Sequence, residues 1–286
     1  MGIEPNNVKD VNEIPFLPIE FFKNHQIVSS SFVPVKIFES SSTSGLNTSK
    51  HHLKDEKWYQ QSFIKSINQS NIGKWNEFCH LALLPSYLER GNSSLIYQVN
   101  YFIDNTPLPH SQFYSTDYLS LYNQLIYNES NNIPTLLWGV SFALLDFAEQ
   151  YSLKLKHTTI IETGGMKGRR NEITRKELHE TLERSFSTNF ISSEYGMTEL
   201  MSQCYALENG LYSTPHSMKV FAREINDPLT SSSFYKNAAL NIIDLNNIDS
   251  CCFIASSDIA YLHNNHEFEI IGRLDYSDIR GCNLLI

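Results

Sequence analysis

The feature that most constrains the fold is an alternation of strand-like and helix-like segments over the first two-thirds of the chain. Short apolar runs at 33–39, 80–84, 134–138, 158–162 and 190–193 read as strands. Between them, 55–72, 94–103, 117–127, 141–151 and 174–186 carry helical spacing; in the first of these Trp58, Tyr59, Phe63, Ile64 and Ile67 share one face. Thr174 and Glu177 have the spacing of a capping box at the start of the last helix. Such alternation predicts a largely parallel sheet covered by helices. After residue 210 the texture changes, and 211–213, 219–225, 239–245, 252–255 and 267–271 read as closely spaced strands. The expected fold is therefore α/β, mostly parallel sheets flanked by helices, with a β-rich subdomain near the C-terminus. The expected division is 1–210 as an α/β region and 211–286 as a β-rich subdomain ending in a cysteine-bearing tail. Ahead of both, 14–23 is apolar but broken by prolines, and reads as an extended arm or short helix packed on the body.

Bulk properties exclude several classes of partner. The 286 residues are 41% hydrophobic, enough for a substantial core. The net charge is −9 and the longest basic cluster is Lys167-Gly168-Arg169-Arg170, which argues against nucleic acid as a ligand. No apolar run reaches the length of a bilayer span, so no integral membrane segment is expected. The five cysteines form no Cys-x-x-Cys pair and the polar start is unlike a signal peptide, which together predict reduced thiols and a cytoplasmic protein.

In a doubly wound sheet, ligands sit at the carboxyl ends of strands, and three motifs directly follow predicted strands. Ser193-Glu194-Tyr195-Gly196-Met197-Thr198-Glu199 follows 190–193 and precedes a predicted helix. Its plain structural reading is a strand-to-helix turn with Thr198 as N-cap. Its chemical reading is a site for ATP and Mg2+: a flat Tyr195 ring for adenine, Gly196 for a close backbone, the Thr198 hydroxyl for a phosphate oxygen, and the Glu199 carboxylate for the metal. The second motif is the hydroxyl-rich loop at 40–49. There Ser41, Ser42, Thr43, Ser44, Gly45 and Thr48, with Lys50 behind them, can wrap a polyphosphate; the alternative is a solvated loop. The loop lacks the Gly-Lys-Ser/Thr ending of a Walker A motif. The third is Gly164-Gly165-Met166, where adjacent glycines admit a flat ligand or simply turn the chain. Further on, Asp258 and Arg273 can hold ribose hydroxyls or phosphate, with a β-turn and a surface ion pair as their structural alternatives. The pairs His51/His52 and His263/His266 have no third ligand close in sequence and read as surface or core histidines.

In order, the hydroxyl loop, Gly-Gly, Tyr-Gly-x-Thr-Glu, Asp258 and Gly272-Arg273-Leu274-Asp275 resemble the adenylate-forming superfamily of acyl-CoA synthetases, peptide-synthetase adenylation domains and firefly-type luciferases. Three flanking segments look more specifically like the acyl-protein synthetases of bacterial bioluminescence, a LuxE-like family. They are Ile14-Pro15-Phe16-Leu17-Pro18 with Phe22-Lys23, then Leu84-Pro85-Ser86-Tyr87-Leu88-Glu89-Arg90, and Asp278-Ile279-Arg280-Gly281-Cys282-Asn283-Leu284. The resemblance implies ATP-dependent activation of a fatty or other small carboxylic acid as acyl-adenylate, then transfer to a thiol. It implies that Ser41 to Gly45, Thr48 and Lys50 wrap the phosphates. Gly164, Gly165 and Met166 would line the adenine or acyl side, Tyr195 would stack on adenine, and Thr198 would touch the α-phosphate. Glu199 would hold magnesium and Asp258 and Arg273 the ribose. Trp138 and Gly139 would lie along the acyl chain. Cys282 matches the tail cysteine that carries the acyl group in that family, with an ordinary cysteine of a terminal strand as the alternative.

Three departures accompany the resemblance, one being a short N-terminus that is expected to remove part of the acyl-side wall. Leu46-Asn47 stand where the phosphate loop usually has a second glycine. The chain also ends five residues after Gly281, where many members begin a small mobile domain that supplies a lysine, so that domain is expected to be absent. The acceptor is left open among Cys282, coenzyme A, an acyl-carrier protein and a companion reductase or transferase. The competing expectation is a non-catalytic or partner-dependent subunit that binds acyl group or nucleotide.

Overall fold

The computed structural model describes residues 5–40, 48–85, 91–165, 170, 173–227 and 229–274. The proline-broken arm holds β1 (Leu17–Pro18) and α1 (Phe21–Asn24). A hairpin of β2 (Lys36–Glu39) and β3 (Lys50–Leu53) precedes α2 (Glu56–Asn68) and β4 (Cys79–Leu83). Then come α3 (Ser94–Asn105), β5 (Gln112–Tyr114), α4 (Tyr118–Ser130), β6 (Thr135–Gly139) and α5 (Ser141–Gln150). The alternation closes with β7 (Thr158–Glu162), α6 (Arg175–Phe186) and β8 (Ser192–Tyr195). Six strands follow: β9 (Cys204–Ala206), β10 (Leu211–Ser213), β11 (Met218–Arg223), β12 (Asn237–Asp244), β13 (Phe253–Leu262) and β14 (Glu267–Arg273).

Twelve of these strands form one sheet, in the order β11-β12-β13-β14-β10-β9-β8-β7-β6-β4-β5, with β1 added to β13. From β5 to β8 every pairing is parallel; from β8 to β11 every pairing is antiparallel. The parallel strands β4 and β6 are buried along their whole length, as strands covered on both faces must be. Helices α2, α3, α4 and α6 start at side-chain caps, whereas α5 does not. Asp55 accepts the Lys57 and Trp58 amides at α2, and the Thr174–Glu177 capping box forms at α6; each cap is worth about 1 kcal/mol.

One apolar core lies around the parallel strands and their helices, and a second lies against the antiparallel strands. Phe22 of the arm is fully buried in the second. In the first, His80 stacks on Phe102 and Trp138, accepts the Trp138 indole N–H over 3.1 Å at Nδ1 and donates from Nε2 to the Trp75 carbonyl over 2.8 Å. Burial holds its pKa down at about 4.

Three expectations are corrected. The predicted helix after the Tyr195 turn is absent: the chain turns and returns as β9, antiparallel to β8, so Thr198 caps no helix. Asp258 does not lie in a turn, because β13 runs past it to Leu262, and β14 likewise continues through Arg273. The 40–49 segment follows β2, which pairs with β3 in a two-stranded sheet, and so follows no strand of the main sheet. Trp138 is fully buried, and a Cβ at Gly139 would meet the Leu144 side chain at 2.5 Å, so this glycine serves close packing of α5 on β6.

Candidate functional site

β8 ends on Tyr195, with Ser193 and Tyr195 on one face and Glu194 on the other. The Tyr195 ring is 9% exposed and packs against Tyr212 and, edge-on, Phe268. Its hydroxyl donates to Asp258 Oδ2 over 2.7 Å. Burial, reinforced by the Asp258 charge, pushes the Tyr195 phenol far above its ordinary pKa, so it stays protonated and remains a donor. Asp258 is 9% exposed and sits opposite Arg273 in the β13–β14 register. Arg273 Nε lies 3.5 Å from Asp258 Oδ1, and the arginine side chain is 62% exposed. Tyr195, Asp258 and Arg273 thus form one chain of contacts running from the second core to the surface. A surface ion pair was the structural alternative to a ligand role for this segment; the pair that forms has one partner buried.

The turn beyond Tyr195 is built from long-range hydrogen bonds. His51 Nδ1 donates to the Thr198 carbonyl over 2.9 Å, and Asn247 Nδ2 donates to the Glu199 carbonyl over 2.8 Å. Asp244 accepts the Met201 and Ser202 amides and the Ser202 hydroxyl. These partners replace the bonds a helix would have supplied. Glu199 is only 5% exposed. Burial raises its pKa, while the Ser49 hydroxyl and the positive charge of Arg273 oppose the rise. Glu199 therefore shares an electrostatic neighbourhood with Asp258 and Arg273, and meets Ser49, the residue just before β3.

Of the other predicted residues, Lys50 extends from β3 and pairs with Glu39 at 3.8 Å, while Thr48 is half-buried beside it. Gly164 and Gly165 take φ of 80° and 97°, the region that favours glycine, and the Gly164 amide donates to the buried Glu162 carboxylate over 2.6 Å. The β7–β8 register pairs Glu162 with Ser193, which sets Gly164 level with Tyr195. Gly196 has Gln203 and the Glu194 carboxylate beside it, so the backbone there comes close to both. Ser41, Ser42, Thr43, Ser44, Gly45, Met166, Asp275 and Cys282 lie outside the described residues. Among the described residues, no group of three or more His, Cys, Asp or Glu is placed to hold a metal. An open cleft of ≈ 390 Å³ between β5 and α4, lined by His110, Gln112, Tyr114 and Tyr127, contains none of the predicted residues.

Three polar residues of this region were not foreseen as functional: Ser49, His51 and Asn247, each at most 3% exposed. Their partners lie far away in sequence, and the only local signal was the unexplained His51-His52 pair.

The fold is that of the N-terminal domain of adenylate-forming enzymes. A 2-hydroxyisobutyryl-CoA ligase in the postadenylation state, in complex with R3-HIB-AMP, superposes with a TM-score of 0.67 at 9% identity, covering 98% of this chain and 63% of that one. The O-succinylbenzoate coenzyme A synthetase MenE from Bacillus subtilis, in complex with ATP and magnesium ion, gives 0.56 at 14% identity, covering 86% and 51%. ATP-bound MatB from Rhodopseudomonas palustris gives 0.56 at 11% identity, covering 83% and 47%. The chain spans about half to just under two-thirds of the length of these structures. No family model matches its sequence, and no curated protein does.

Proposed function

We propose that the chain activates a carboxylic acid with ATP and then passes the acyl group to a thiol. In the first half, an acid oxygen attacks the α-phosphorus, the bond to pyrophosphate breaks, and an acyl-adenylate forms. In the second, a thiolate attacks the acyl carbon and AMP departs with the bonding electron pair. The observation that carries this reading is the joining of Tyr195, Asp258 and Arg273 beside the Thr198–Glu199 turn, in a fold shared with enzymes solved with ATP or acyl-AMP.

Each residue has a part. The Tyr195 ring would offer an apolar surface for adenine. Asp258 accepts from ribose hydroxyls while Tyr195 fixes its orientation, and Arg273, at the surface, meets ribose or phosphate. Thr198 offers a hydroxyl to the α-phosphate. The hydroxyl loop, with Thr48 and Lys50, surrounds the outer phosphates. A single buried carboxylate with hydroxyls nearby suits magnesium, which binds through one or two carboxylates and nucleotide phosphates and needs no all-protein cage. Glu199 would hold that ion, which supplies charge neutralisation on the phosphates when bound.

The acid is a fatty acid by the LuxE-like resemblance, and the thiol is Cys282, coenzyme A or an acyl-carrier protein. A companion reductase or transferase would take the product, in the cytoplasm. Mass spectrometry after incubation with ATP, magnesium and short to long fatty acids tests the first half: an acid-dependent acyl-adenylate supports it, and its absence with every acid contradicts it. Cys282→Ser tests the second half, because it abolishes a covalent acyl-protein yet spares transfer to an external thiol. A second reading, a binding subunit that needs a partner for catalysis, is favoured by Leu46-Asn47 in place of the second loop glycine. ATP binding without adenylate would select it.

A further inference from the structure

The turn between β8 and β9 carries the two side chains assigned to phosphate and metal, and its geometry is set from outside. The carbonyls of Thr198 and Glu199 are taken by His51 and Asn247, which lie 147 and 48 residues away in sequence. Both donors are buried, 2% and 1% exposed. Burying a polar side chain is costly unless its hydrogen bonds are made, and here the bonds go to the backbone of those two residues and of Cys251, with the His51 and Asn247 side chains also interacting with each other. The Asn247 amide is shared: Nδ2 also donates to the Cys251 carbonyl over 2.9 Å, just ahead of the strand that bears Asp258. His51 belongs to β3, the strand leading out of the hydroxyl loop. Ser49, two residues before it, supports the Glu199 carboxylate. Beneath the turn is a cavity of ≈ 10 Å³, room for about one water, lined by His51, His52, Met201 and Asn247 among others. His52 Nδ1 and Asn247 Oδ1 are buried there without a partner.

We propose that His51 and Asn247 are positioning residues: they fix the Thr198–Glu199 turn so that its hydroxyl and carboxylate meet the phosphates and the metal together, and His51 ties that turn to the hairpin bearing the phosphate loop. This rests on the adenylating function proposed above. A general structural role would be served by any bond that holds β9 in place, and Asp244 already does that at Met201 and Ser202. His51 and Asn247 add constraint at the two reactive positions specifically. A displacement of about 1 Å in such a pair is enough to lose roughly a hundredfold in rate.

The test uses the full chain with His51→Leu, His51→Asn and Asn247→Ala. Asparagine places an amide near the position of the imidazole Nδ1–H and keeps the donor; leucine removes it. Calorimetry measures ATP affinity with and without magnesium, acid-dependent ATP–pyrophosphate exchange measures rate, and thermal melts measure stability. The expected result is that His51→Leu and Asn247→Ala lose most of the magnesium-dependent gain in ATP affinity. Their exchange falls tenfold to a hundredfold, and His51→Asn recovers most of both. Melts below wild type with unchanged magnesium dependence and exchange, well under the melting temperature, would overturn the proposal and leave a structural role. If His51→Leu does not fold, Asn247→Ala and His51→Asn still decide between the two. A wild-type chain that neither gains ATP affinity from magnesium nor exchanges with any acid fails at the function itself, which separates the two failures.

Discussion

The Tyr195 hydroxyl donates to Asp258 Oδ2 over 2.7 Å, joining the end of β8 to β13 across 63 residues of sequence. In the proposed function this bond ties the residue assigned to adenine to the one assigned to ribose. Tyr195→Phe removes the donor and is expected to cost about 1–2 kcal/mol of stability. Asp258→Ala should cost more, since it strands a buried phenol, and Asp258→Asn less, since it keeps an acceptor. Denaturant unfolding ranks the three, and calorimetry should show weaker ATP binding in all of them.

Glu194 faces away from Tyr195 and accepts from Tyr205 Oη over 2.7 Å and Gln98 Nε2 over 2.8 Å, both at Oε2. Burial raises its pKa to about 7 from an unfolded value of 4.5. A raised carboxyl binds its proton more tightly when folded, so its contribution is complete below pH 4.5 and is lost as pH rises through 7. Glu194→Gln should therefore gain on the wild type between pH 5 and pH 8, by an amount on the order of 2 kcal/mol. Urea unfolding across that range measures it, and a constant difference between the two proteins would contradict the assignment.

His80 acts in the opposite sense. Its pKa falls from 6.5 to about 4 on folding because burial disfavours the imidazolium. The contribution is intact above pH 6.5 and is lost as pH drops toward 4, worth roughly 2–3 kcal/mol for this one group. His51, lowered to about 4 by the same cause, adds to the slope. Replacing His80 by Gln should flatten the acid limb of the stability curve while lowering its plateau through lost stacking. An unchanged acid limb would show that His80 does not titrate in this way.

Legibility of the sequence followed the range of the interactions. Strands β4, β6 and β7 were readable because burial on both faces writes a run of apolar residues, and the capping box at α6 because its two bonds span three residues. Strand β3 was hidden because one of its two buried positions is a histidine, His51, and the helix expected after Tyr195 fails because the turn's backbone is satisfied by His51, Asn247 and Asp244. Asp258 looked like a turn residue because Ser256, Ser257 and Asp258 are polar. Within β13 the buried Ser256 hydroxyl donates to the Leu240 carbonyl, and its own carbonyl takes an Arg223 N–H. Tyr195, Asp258 and Arg273 were legible as motifs, but the bonds joining them were not, since each bridges separate strands.

The most direct test is acid-dependent ATP–pyrophosphate exchange with magnesium across short to long fatty acids, with Glu199→Ala alongside. The account predicts exchange that requires the acid and falls about a hundredfold or more in the variant, the loss expected when a preorganised charge at the transition state is removed. Exchange with no acid, or exchange undiminished in Glu199→Ala, or none in the wild type despite measurable ATP binding, would contradict it.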